Sequence, residues 1–118
     1  MALLIYQKCL KFFATGLKVE VDLNDNLLWL QKWFQSQCDG DWEHEYGVRI
    51  STLDNPGWRL RVSIIGTELE NKEFKKIAIE RSETDWLFCF IENGHFEAAC
   101  GLFNLPEGLQ TFRNWAEN

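Results

Sequence analysis

The sequence predicts an α+β domain, an antiparallel β-meander of five or six strands with helices before and after it. Three observations carry that prediction. Residues 46–53 and 58–65 alternate apolar and polar on either side of Asn55-Pro56-Gly57. Residues 86–91, WLFCFI, are apolar on both faces and lead into Asn93-Gly94, a strong hairpin signal. Residues 26–37 and 105–116 repeat apolar side chains at spacings of three and four, the period of a helix.

Taken in order, residues 2–14 read as an amphipathic helix stopped by Gly16. As a secretory signal this stretch fails, because no Lys or Arg precedes its apolar run and Lys8 and Lys11 interrupt it. It is also shorter than the roughly 20 apolar residues a membrane span takes. Residues 17–23, LKVEVDL, put Leu17, Val19, Val21 and Leu23 on one side, as a half-buried strand does. Asn24-Asp25-Asn26 offers capping side chains for a helix over 26–37. On that helix Leu23, Leu27, Leu30, Phe34 and Cys38 fall on one stripe, and Trp29 and Trp33 on an adjoining face read as core.

Tyr46, Val48, Ile50 and Thr52 mark one side of the first strand of the sheet, and Trp58, Leu60, Val62 and Ile64 that of the next. Between them Asn55-Pro56-Gly57-Trp58 meets the demand of a type II turn, with Pro56 at its second position and Gly57 at its third. A loop over 66–72 and a strand over 73–81, with Ile77 and Ile79 inward, follow. A turn at 82–85 leads to the central strand 86–91, and 95–100 is the last strand. Asn104 caps a closing helix with Pro106 in its first turn. Leu105, Leu109, Phe112 and Ala116 share its stripe, with Trp115 beside it.

A chain of 118 residues is one domain's worth, and 46% apolar residues suffice for a core. The formal charge is −6. Direct nucleic-acid binding and anionic membranes both call for a basic face, so both are disfavoured and a basic partner is favoured. Cys9, Cys38, Cys89 and Cys100 form no CxxC pair, and read as reduced thiols in a cytoplasmic protein.

The functional question concentrates in Cys38–Gly47, CDGDWEHEYG, which holds four carboxylates, a histidine and a cysteine in ten residues. A calcium loop needs its glycine elsewhere than at Gly40. Zinc on Cys38 and His44 with His95 and Cys100 would use looser spacings than zinc ribbons do. No nucleophile elbow, P-loop or dinucleotide fingerprint is present. These readings leave no assigned metal, cofactor or catalytic residue, and His44 reads as a hydrogen-bonded structural residue. Two readings of the segment stand level. In one, Asp39, Asp41, Glu43 and Glu45 ring Trp42 as an aromatic anchor for a basic protein. In the other, the loop is solvated and Trp42 tucks into the core.

The stretch LLWLQKWFQSQCDGDWEHEYGVRISTLDNPGW at 27–58 closely resembles the signature of the immunity protein 53 family. The similarity continues through GTELENKEF at 66–74, IAIERSETDW at 77–86 and FRNW at 112–115. Its most distinctive residues here are Trp33, Cys38, Asp39, Gly40, Asp41, Trp42, Glu43, His44, Asn55, Pro56, Gly57 and Trp58. The resemblance divides the chain into an N-terminal extension, 1–25, a helix plus strand that is either genuine or an upstream start, and an immunity-protein-like α+β domain, 26–118. It implies a small cytoplasmic bacterial protein of a polymorphic toxin system, not an enzyme, that neutralises a cognate secreted toxin by binding. By class analogy that toxin domain is a basic nuclease. The expected contact residues are Asp39, Asp41, Trp42, Glu43, His44 and Glu45, with Glu68, Glu70 and Glu73 in reserve. The alternative is a small metal-dependent or hydrolytic enzyme using the Asp39–His44 cluster.

Overall fold

The computed structural model describes residues 25–118. The helix expected at 2–14 and the strand expected at 17–23 lie outside the described residues. Helix α1, Asn26–Gln37, starts where Asp25 accepts the backbone N–H groups of Leu27 and Leu28, a side-chain N-cap. Its buried residues are Leu30 and Trp33, while Leu27 is 50% exposed. The core-facing side is thus rotated from the expected Leu27–Phe34 stripe toward the tryptophans. Trp29 and Trp33 meet the ring of Phe112 edge-on at 5.8 and 5.2 Å. Large aromatic rings bury more apolar area than leucine, so they set the rotation.

After the one-turn helix α2, Trp42–Glu45, come β1, Val48–Leu53, and β2, Gly57–Ser63. Then follow β3, Ile77–Glu80, β4, Trp86–Glu92, β5, His95–Cys100, and helix α3, Leu105–Glu117. The five strands form one antiparallel sheet in the order β1-β2-β5-β4-β3. The fold class is α+β, with helices before and after the sheet. The expected single meander is two: β1-β2 and β3-β4-β5, joined by residues 64–76, which carry the chain to the far edge.

The turn after β1 corrects a second expectation. Gly57 does not take positive φ, and pairs with Leu53 inside the ladder. A glycine is needed there because a Cβ would lie 2.3 Å from the carbonyl oxygen of Cys100. Asn93 and Gly94 do take positive φ, 52° and 77°, as the tight β4–β5 hairpin requires. The third strand begins only at Ile77, because residues 72–74 are tied to α3 instead. Lys72 Nζ donates to the carbonyl of Trp115, Trp115 Nε1 donates to that of Glu73, and Phe74 packs edge-on against Phe96 and Trp115.

The core lies on one face of the sheet. Leu60 and Val62 of β2, Phe96, Ala98 and Cys100 of β5, and Leu87 and Cys89 of β4 are buried there under Leu109 and Phe112 of α3. Asn104, expected as the cap of α3, caps nothing through its side chain. It instead accepts the N–H of Trp86 and donates to Asp85 and Glu107, where Arg81 also binds. Alternation places Arg49, Arg59, Arg61, Glu97, Phe88 and Phe90 on the opposite face.

Candidate functional site

The CDGDWEHEYG segment is a knotted turn, not an open loop. Helix α1 ends as Cys38 leaves helical geometry, its Sγ donating to the carbonyl of Phe34. Asp39 Oδ1 then accepts the N–H groups of Asp41 and Trp42, both at 2.9 Å. Glu43 reaches back to accept those of Asp39 at 3.0 Å and Gly40 at 2.9 Å. The two side chains thus exchange bonds across the turn in the manner of a capping box, leaving the amides of Asp39, Gly40, Asp41 and Trp42 satisfied. Gly40 has φ of 96° with nothing within 4 Å of a would-be Cβ. Its glycine serves the backbone angle alone.

These bonds divide the four acids. The N–H groups of Trp42 and Asp41 hold the Asp39 carboxyl below its ordinary range. Glu43 is lowered by its own N–H and, against some desolvation, by those of Asp39 and Gly40. Asp41 and Glu45 are exposed, and among the described residues neither carboxylate accepts a hydrogen bond or joins an ion pair. His44 is exposed as well, and its ring has no hydrogen-bond partner among the described residues, contrary to the structural role expected of it.

Trp42 is 7% exposed, so the expected aromatic anchor is a core residue. Its Nε1 donates to the carbonyl of Ile65 at 2.8 Å, and its ring packs among Trp33, Phe34 and Tyr46. Burial wins because the indole satisfies its one polar group while covering a large apolar area. Trp42 therefore pins the acids that flank it.

Of the reserve acids, Glu68 and Glu70 are brought near the same corner and are partly committed, while Glu73 lies beside α3, its carbonyl accepting Trp115 Nε1. Glu68 accepts Trp33 Nε1 and Gln37 Nε2, which ties residues 64–76 to the C-terminal turn of α1. Partial burial works to raise its carboxyl, and its own backbone N–H together with these donors outweighs it and holds it low. Glu70 accepts the N–H of Gly66. The last turn of α1 carries no basic residue, so the negative end of its dipole adds to the field of these acids.

The enzyme reading finds little to work with. Desolvation, with Glu43 and Asp39 adding to it, pushes the Cys38 thiol up, away from a thiolate nucleophile. His95 and Cys100 point to opposite faces of β5, so they cannot close a zinc site together. Among the described residues no three His, Cys, Asp or Glu side chains gather as metal ligands. No described helix is long and apolar enough to cross a membrane.

One group of residues that sequence reasoning missed adjoins the turn. A cleft of about 380 Å³ is lined by Glu43, His44 and Glu45 on one side and by Arg49, Arg61 and His95 on the other. The arginines were legible only as the polar side of an alternating strand.

The family described as Immunity protein 53 has a model that matches residues 27–117, and the chain belongs to that family. Its membership supports an immunity function. No curated protein and no solved structure matches the chain.

Proposed function

We propose that this immunity protein neutralises its cognate toxin by direct, stoichiometric binding, and that the corner around α2 makes the contact. The observation that carries the reading is the division of labour among the acids. Asp39, Glu43 and Trp42 hold the turn rigid, and Asp41, His44 and Glu45 stand exposed on it. A preorganised surface loses little entropy on docking. Its charge, on a chain of net −6, favours a toxin with a basic surface such as a nuclease groove. Membership in an immunity family supplies the toxin as partner, and the cytoplasm is where such a protein would meet it.

Asp41→Lys tests the contact. The variant is expected to keep the parent's melting temperature, because Asp41 makes no side-chain cap bond. Its association with the toxin domain encoded beside its gene should slow by about tenfold at low salt, the scale of steering effects. Unchanged binding by the folded variant would remove this corner from the interface.

A further inference from the structure

The open face of the sheet holds a charged arrangement that the acidic turn does not explain. Arg49 of β1, Arg61 of β2, Glu97 of β5 and Phe90 of β4 stand side by side in one row. Ser51, Arg59, Ala99 and Phe88 form the next. Glu97 is only 4% exposed. Its Oε1 accepts Arg59 Nε at 2.8 Å, and its Oε2 lies 3.2 Å from Arg61 Nε. That second approach is a charge contact without hydrogen-bond geometry, since the buried Arg61 Nε–H has no hydrogen-bond partner. Arg49 joins no ion pair among the described residues. At the β1–β2 end of this face three arginines thus stand against one carboxylate, two of them in contact with it, while Glu80 and Glu92 lie on the same face at its β3–β4 end.

As a stabilising device this is poor. Arg49 and Arg61 face each other directly across the strands, and like charges so placed repel. A buried carboxylate costs desolvation that its partners barely offset. What Glu97 does achieve is to hold the Arg59 fork by hydrogen bond and the Arg61 guanidinium by a charge contact, on the same face as the half-buried rings of Phe88 and Phe90. Arginine next to aromatic side chains is the composition of an interface hot spot. Preset guanidinium forks fit carboxylates.

We propose that this open face is the second half of the toxin contact. Arg49, Arg59 and Arg61 take carboxylates of the toxin, and Phe88 and Phe90 take an apolar patch beside them. The inference rests on the toxin-binding reading above. A docked protein fits better than a free anion, because the row of rings needs a surface to cover it. The cleft between His44 and Arg49 also makes the acidic and basic halves continuous. The matching toxin surface is basic where it meets α2 and carboxylate-bearing where it meets β1 and β2.

Two variants of the full chain test this by calorimetric titration with the toxin domain encoded beside its gene. Arg49→Glu and Ser51→Glu each set a carboxylate opposite an arginine, Arg61 and Arg59 respectively. Both should therefore melt at or above the parent's temperature. Each is expected to weaken binding at least tenfold. If both fold and bind within twofold of the parent while Asp41→Lys binds weakly, the open-face proposal falls and the toxin reading stands. If the parent itself does not bind, both fall. Should Arg49→Glu fail to fold, Ser51→Glu decides alone.

Discussion

Trp42 shows how one residue can be read two ways and settled by burial. Its ring is enclosed and its N–H is satisfied by Ile65. Trp42→Ala is expected to destabilise the fold by about 3–5 kcal/mol, the range for removing a buried aromatic. Chemical denaturation measures that directly. The loss of affinity that follows should be recovered in part by Trp42→Phe, which refills most of the space without the indole bond. Asp39 and Glu43 add a pH dependence. Both carboxyls are held below their ordinary values of 3.8 and 4.5 by backbone N–H groups. Their contribution is therefore complete above those values and is lost as pH falls through and below them. Melting temperature measured from pH 6 down to about pH 3 should fall, and the Asp39→Asn, Glu43→Gln double variant should show a shallower fall. A parallel decline in both proteins would mean that other carboxylates dominate.

At the scale of elements, periodicity was a good guide where packing agreed with it. The α1, β2, β4, β5 and α3 segments sit where alternation or the helical period puts them, because each buries one side against the same core. Strand β1 also sits where expected, but it is largely exposed and is held by its ladder with β2. Strand order was not legible, since a period of two says which face is apolar and nothing about which strand lies alongside. The one-turn helix α2 was hidden for a related reason. Its capping bonds depend on Glu43 folding back over Gly40, and its apolar content is the single ring of Trp42. Gly57 was legible as a special position but for another cause than turn geometry. Gly57→Ala forces a methyl group against the Cys100 carbonyl between β2 and β5. It should cost about 1–3 kcal/mol, the scale of overpacking, visible as a lower denaturation midpoint. An unchanged midpoint would show that the two strands part there freely.

For the whole molecule, charge is distributed more pointedly than its total suggests. The net −6 gathers partly at the corner where α1 ends and α2 begins, and the β1–β2 end of the open sheet face beside it gathers three arginines. The acidic corner was legible, because carboxylates four in seven residues survive any fold as a surface feature. The arginine cluster was not, because Arg49, Arg59, Arg61 and Glu97 come from three strands and meet only through the sheet. As proposed, the protein works by electrostatically steered binding through the α2 corner. The most direct test is the association rate with the toxin domain encoded beside its gene, for the parent and Asp41→Lys, across a series of salt concentrations. The expected result is a tight complex whose association rate for the parent falls steeply with salt, and a variant that is slower and less salt-sensitive. A parent that fails to bind, or a rate indifferent to both salt and Asp41, would contradict it.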